Sequence, residues 1–180
     1  QMSQVELNLP DLPGISIEED QKRYYPFAGL TAHILGYVQT ASESEVAADP
    51  DPLLTLPGFR IGRNGLEKTY DKSLRGSAGK SEIEVNSVGR IIRQLSRVEG
   101  KPGADLVTTI DIGLQEFAQQ RIAAEQSCST VVMDIFTGEI LAMASTPTFD
   151  PASFYRGISG DEWRTLNADM FRPLTNKTVS

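Results

Sequence analysis

GRNGLEKTYDKSLRGSAGKSEIEVNSVGRIIR, residues 62–93, decides how the chain is organised. Asn64 and Glu67 stand at capping-box spacing, so a helix is predicted over 65–75. Leu66, Thr69, Tyr70 and Leu74 share one side of it, and Gly76 closes it. Residues 81–86 and 90–98 alternate and read as two strands, with Ser87 to Gly89 as the turn. Between helix and hairpin lies Ser77-Ala78-Gly79-Lys80, a Ser-x-x-Lys. In serine acyl-transfer enzymes that pattern opens a helix, and one helical turn puts the lysine amine beside the serine oxygen. Here Gly76 and Gly79 flank it, after one helix has ended and before a strand begins, which argues against a helical register. Gly76 to Ser81 also resembles the end of a phosphate-binding loop, but Leu74 stands where the pattern needs its first glycine. Glu67 and Arg75, eight residues apart, are too far apart to pair along one helix. Each is expected to fix the glycine turn or a neighbouring strand. Gly62 and Gly65 are expected to need close backbone approach or positive φ.

Toward the N-terminus, residues 4–9 and 15–25 read as strands, broken by Pro10, by Pro13-Gly14 and finally by Pro26. Tyr24, Tyr25 and Phe27 are expected to pack in a core. Residues 29–37 look like a short helix closed by Gly36, and His33 within it reads as a structural histidine. Ser42 and Glu45 have capping-box spacing. Residues 49–58, with three prolines and a glycine, read as an exposed, mobile loop. The carboxylates at Glu18-Glu19-Asp20, Asp49/Asp51 and Asp161-Glu162 are explained by solvation or capping rather than catalysis.

Toward the C-terminus, Gly100-Lys101-Pro102-Gly103 is the best boundary. Residues 106–110 read as a strand. Asp111 caps a helix whose stripe is Leu114, Phe117, Ala118 and Ile122. Residues 129–136 read as a central strand buried on both faces, and 139–145 as its antiparallel neighbour across Thr137-Gly138. Ser159 and Glu162 cap a helix around Trp163 and Leu166. Residues 171–180 show no strong pattern. One helix to cover the hairpin is little, so the second unit reads as incomplete. The expected fold class is α+β, with a mixed strand and helix module over 1–103 and an antiparallel-sheet segment over 104–180.

Composition narrows the function. Seventeen Lys+Arg against 24 Asp+Glu give a net charge of −7. With no basic block, nucleic acid is excluded as an expected partner. No apolar run approaches the ~20 residues of a membrane span. The single cysteine, Cys128, cannot form an internal disulfide and reads as a buried strand thiol. With one histidine and one cysteine, a zinc site is not expected. No cofactor is implied. From the residues alone, the chain is an α+β protein without a complete active site.

Several segments together resemble the class B penicillin-binding proteins, bacterial D,D-transpeptidases that crosslink peptidoglycan. LPGISIEEDQKRYYP followed by AHILGYV is similar to the family's non-catalytic N-terminal module, as are GRNGLEKTYDKSLRG and EVNSVGR. TTIDIGLQEFAQQRI and VVMDIFTGEILAMASTPTFDP resemble the opening of the transpeptidase domain. Ala32-His33 with Gly36-Tyr37-Val38, and Glu84-Val85-Asn86 with Gly89-Arg90, point to the elongation-type branch, with the division type as the alternative. Ala152 departs from the family's Asn after Asp-Pro.

The resemblance implies a pedestal, or dimerisation, module over 1–103 and the first part of a transpeptidase fold over 104–180. It marks Arg23, Tyr25, Pro26, His33, Gly62, Gly65, Glu67, Tyr70, Arg75, Gly76, Gly89 and Arg90 as structural motif residues. It implies no catalytic, cofactor-binding or metal-binding residue here. Leu174-Thr175-Asn176-Lys177 resembles a Leu-x-Asn-Arg that lies shortly before the family's nucleophilic Ser-x-x-Lys, which is expected beyond Ser180. The family's cytoplasmic tail and membrane helix are likewise expected ahead of residue 1. The implied setting is the periplasmic side of the bacterial inner membrane. The implied partners are a glycan polymerase of the shape, elongation, division and sporulation type, a rod-shape scaffold protein and the peptidoglycan stem peptide. Two other readings stay open: a small acyl-transfer enzyme using Ser77 and Lys80, and an unrelated scaffold module.

Overall fold

The computed structural model describes residues 22–56, 58–87 and 91–180. The strand expected at 4–9, most of that at 15–25, and Gly89 and Arg90 lie outside the described residues. The chain divides into two compact units. The smaller, as far as described, comprises 22–23, 79–87 and 91–100. The larger is Tyr24–Ala78 with Lys101–Ser180.

The larger unit opens with a 3-10 turn, Ala28–Leu30, and a one-turn helix, α1 (Ala32–Leu35). Strand β1 (Val38–Thr40) pairs antiparallel with β2 (Arg60–Gly62), Val38 facing Gly62 and Thr40 facing Arg60. Between them run α2 (Glu43–Ala48) and a 3-10 turn, Pro52–Thr55. Helix α2 carries the expected capping box: Ser42 N donates to Glu45 Oε2 at 2.8 Å. The helix expected over 65–75 is two, α3 (Gly65–Thr69) and α4 (Asp71–Arg75), broken at Tyr70, whose φ of −108° and ψ of 17° leave the helical basin. Asn64 does cap α3, but its side chain accepts from Gly65 N at 2.9 Å instead of joining Glu67 in a reciprocal box.

After residues 101–110, α5 (Ile112–Ile122) is capped by Asp111, whose Oδ1 accepts from Leu114 N at 2.9 Å. Strands β5 (Cys128–Met133) and β6 (Ile140–Thr146) form an antiparallel pair. Helices α6 (Pro151–Arg156) and α7 (Gly160–Ala168) follow, capped by Asp150 and Ser159. Among the described residues, two apolar clusters form the core. In one, Ala118 and Ile122 of α5 pack on Ala142 and Ala144 of β6. In the other, Ala32, Phe149 and Phe154 gather Tyr37, Ile158, Leu166 and Leu174. Tyr37 stacks on Phe154 at 3.8 Å between centroids, and His33 meets Phe149 edge-on at 5.4 Å.

The smaller unit contains the hairpin of β3 (Lys80–Val85) and β4 (Ile91–Val98), Lys80 facing Val98, with two bulges. Arg93 Nε meets Glu84 Oε2 across it at 2.6 Å.

Several expectations are corrected. Residues 106–110 form no strand: only Thr109 Oγ1 and the Asp111 amide reach β6, at Ile140 O (2.6 Å) and Leu141 O (2.9 Å), and Val107 is exposed. Strand β5 is half-buried on alternate residues and exposed on the others, not buried on both faces, because α5 covers one side and Val131 and Met133 face outward. Cys128 is therefore half-buried. Phe117 is exposed and Gln115 takes its place in the buried stripe. Tyr25 is buried, while Tyr24 and Phe27 are exposed. The loop at 49–58 contains the 3-10 turn and buries Leu54.

Candidate functional site

The segment 62–76 is held by close backbone contacts. A Cβ on Gly62 would lie 2.0 Å from Glu67 O, and the Gly62 amide donates to Asp71 Oδ1 at 2.9 Å. Gly65 has φ +57°, and a Cβ there would lie 2.5 Å from Ile34 O. Thus α1 and the start of α3 touch backbone to backbone. Glu67 is buried against this turn, and Tyr70 is exposed at the break. Arg63 ties β1 to α2: its guanidinium pairs with Glu45 and donates to Thr40 O at 2.9 Å. The Ser42 hydrogen bonds, with Arg63 beside them, hold the Glu45 carboxyl down to about 2.

Arg75 ends α4 and is the hub of an ion cluster. One amino group donates to Asp49 Oδ2 and Asp51 Oδ2, each at 3.0 Å, and the other pairs with Asp71 one turn back. The Arg75 side chain is only 6% exposed. Burial works against its charge, but the three aspartates outweigh that and raise its pKa further. The Asp49 carboxyl is lowered by the Arg75 hydrogen bond and then by the Asp51 amide. The loop expected to be mobile is therefore anchored, and Asp49/Asp51, read as solvated charges, are the anchors. Arg75 reaches this loop rather than the glycine turn, which Asp71 holds instead. Gly76, at φ +74°, then turns the chain into a two-residue bridge in which Ser77 N donates to Lys101 O at 2.9 Å and Lys101 N to Ser77 O at 3.1 Å.

This backbone pairing is incompatible with the helical turn that a Ser-x-x-Lys pair requires. Lys80 is engaged elsewhere, its Nζ 2.7 Å from Glu82 Oε1. Among the described residues, no group of three or more His, Cys, Asp or Glu could hold a metal ion. None of their helices is long and apolar enough to cross a membrane.

The third locus joins residues 29–36 to 109–178. His33 Nε2 and Pro173 O lie 2.7 Å apart, with the imidazole buried. A carbonyl can only accept, so Nε2 carries the proton. Burial lowers the His33 pKa, the Pro173 hydrogen bond opposes this, and the Lys177 charge adds to it. Gln115, fully buried, donates from Nε2 to Leu30 O and Met143 O, both at 2.9 Å, and accepts from Met143 N at 2.7 Å. Thr148 Oγ1 donates to Gly29 O at 2.7 Å. The sequence reading missed Gln115 and Thr148 in this joint, and quoted Asn176 only within the Leu174–Lys177 resemblance. Of the predicted motif residues the structure brings together Gly62, Gly65, Glu67 and Arg75 around α3 and α4, with Gly76 at the end of α4. His33 belongs to the third locus. Tyr25 is buried, and Arg23 and Pro26 lie at the exposed start of the described residues.

Comparison with known proteins gives a consistent result. The family described as "Penicillin-binding Protein dimerisation domain" matches residues 1–108. Peptidoglycan D,D-transpeptidase MrdA of Escherichia coli strain K12 is 34% identical over 182 residues, covering 99% of this chain and 29% of the relative. The MrdA of Acinetobacter baumannii is 36% identical over 167 residues, covering 93% of this chain and 25% of the relative. The chain thus spans under a third of the length of these relatives. Among solved structures, PBP2 of Helicobacter pylori, determined in complex with MreC, matches with a TM-score of 0.80 and 31% identity. That match covers 98% of this chain and 32% of the solved one.

Proposed function

This chain belongs to the class B penicillin-binding proteins, in the elongation-type (penicillin-binding protein 2) branch, and from that premise we propose that it is the non-catalytic portion of a cell-elongation D,D-transpeptidase. Residues 1–103 act as the pedestal and 104–180 begin the transpeptidase domain. The observation that carries the reading is the match along 98% of the chain to a penicillin-binding protein 2. In the whole protein, a serine beyond these residues attacks the D-Ala-D-Ala bond of a stem peptide. The Oγ–acyl bond forms, terminal D-alanine leaves with the proton, and the amine of a second stem peptide displaces the serine to complete the crosslink. The pedestal stands on the periplasmic side of the inner membrane and contacts a rod-shape scaffold protein of the MreC kind and a glycan polymerase. The glycine contacts of 62–65 and the Arg75 cluster suit such a spacer, because they tie short elements together without relying on a large core.

Fluorescent penicillin tests the reading directly. It labels the full-length protein and leaves the 180-residue chain unlabelled. Stoichiometric acylation of Ser77 overturns the proposal. The scaffold contact is checked by titrating this chain with the soluble part of the cognate MreC-type protein, and absence of binding removes that partner.

A further inference from the structure

Residues 171–180 carry no periodicity beyond the Leu174–Lys177 resemblance, yet they are docked through side chains from several distant parts of the larger unit. Pro173 O accepts from His33 Nε2. Asn176 Nδ2 donates to His33 O at 3.2 Å and lies 3.6 Å from Met143 Sδ. The other end of the same amide, Oδ1, accepts from Thr178 N at 3.1 Å and from Thr178 Oγ1. The Asn176 carbonyl accepts from Val179 N at 3.4 Å and from Ser180 Oγ. Lys177 is held on both backbone groups: its amide donates to Ser145 Oγ at 3.4 Å and its carbonyl accepts from Ser129 Oγ at 3.3 Å. Leu174 packs into the Ala32–Phe149–Phe154 cluster.

The arrangement is directional. His33 is gripped twice, by its ring at Pro173 and by its carbonyl at Asn176. Asn176 then passes the constraint on to Thr178 through one planar amide, whose donor and acceptor ends cannot rotate independently. The segment 177–180 is thereby oriented by a residue of α1, more than 140 positions earlier in sequence.

We propose that His33 and Asn176 form a positioning clamp that sets the path of residues 177–180 against α1. Resting on the function proposed above, the clamp aims the nucleophile segment that follows, so it governs how fast the serine is acylated and not only how firmly the unit folds. Rates of attack are sensitive to shifts of about 1 Å in the reacting group, which is the scale on which a lost amide bridge acts. Both act as positioning residues, through the path of residues 177–180.

Two measurements decide it. In the 180-residue chain, hydrogen exchange compares Asn176→Ala and Asn176→Asp with the unchanged protein. The Asp variant keeps the acceptor for Thr178 and loses the donor to His33. In Asn176→Ala the amides of Thr178 and Val179 exchange at least tenfold faster, while those of α5 are unchanged. In Asn176→Asp the Thr178 amide keeps most of its protection. Unchanged exchange in Asn176→Ala overturns the clamp. In the full-length protein, acylation by fluorescent penicillin forms the serine ester, breaks the lactam C–N bond and leaves the proton on nitrogen. Its second-order rate falls about tenfold in Asn176→Ala and His33→Ala, and is partly restored in His33→Gln, which keeps an N–H donor. Equal rates in all variants overturn the positioning role. If the unchanged full-length protein is not acylated at all, the reading of function fails and takes that role with it, while hydrogen exchange still decides the clamp.

Discussion

Replacing Gln115 by leucine removes three hydrogen bonds at nearly constant volume, so the change isolates their contribution. The side chain is fully buried. Its amide serves Leu30 O, Met143 O and Met143 N at 2.9, 2.9 and 2.7 Å. Each bond contributes roughly 0.5–1.5 kcal/mol net, and the backbone groups left behind at Leu30 and Met143 are part-buried. Three together give a destabilisation of about 3 kcal/mol, with no cavity term because leucine fills the space. For a chain of this size that corresponds to a fall in melting temperature of about 6–12 °C. Thermal unfolding followed by near-UV circular dichroism measures it, with the exposed Gln120→Ala as a control expected to shift by less than about 0.5 kcal/mol. Gln115→Glu adds a sign test. A buried carboxyl facing two carbonyls has its folded pKa raised above the unfolded ~4.3. The folded state then binds more protons, so stability is greatest at acid pH and declines as pH rises through that window. A Gln115→Leu variant melting within about 2 °C of the unchanged protein, or a Gln115→Glu variant steadier at pH 8 than at pH 5, refutes the reasoning.

Two further outcomes are expected. Arg75→Ala leaves Asp49, Asp51 and Asp71 facing one another without their common cation; melting falls, and limited proteolysis cuts within 49–58, where the unchanged chain resists. His33, whose folded pKa is lowered mainly by burial, binds fewer protons folded than unfolded. Its contribution is full above the unfolded ~6.5 and is lost as pH falls from there toward the folded value. The part of the melting curve's pH dependence just below pH 6.5 therefore disappears in His33→Gln.

Local signals were legible in the sequence. Ser42 with Glu45, Asp111, and Ser159 with Glu162 cap their helices because capping needs partners only two or three residues away. The hairpin at 80–98 follows from alternation and a turn. The contacts that assemble the larger unit were not legible, because their partners are distant: Arg75 to Asp49 spans 26 positions, Gln115 to Leu30 spans 85, and His33 to Pro173 spans 140. A charge in a proline-rich loop and an aperiodic tail each carry no local mark of such a partner. The flanking glycines already argue against an active site at Ser77 and Lys80, but the strand pairing that Ser77 makes with Lys101 leaves no mark in a four-residue match.

Gln115 shows what a better rule would have used. Hydrophobicity chose Phe117 for the buried stripe of α5, yet Gln115, Ala118 and Ile122 lie on one face equally well and are the residues buried. Strand β6 pairs with β5 on one edge, leaving the backbone groups of Leu141, Met143 and Ser145 on the other. An open edge of this kind must be paired or covered. Here α5 covers it, through the Asp111 amide at Leu141 O, Gln115 at both Met143 groups and Gln119 at Ser145 O, 3.3 Å away. The helix N-cap and two glutamines one turn apart thus take the place of a neighbouring strand. Polar residues at i and i+4 on the face of a helix that also carries small apolar residues can therefore mark a helix laid along a strand edge. An apolar residue at either position leaves that edge unpaired, and for this reason the face that binds the sheet most firmly is not the most hydrophobic one.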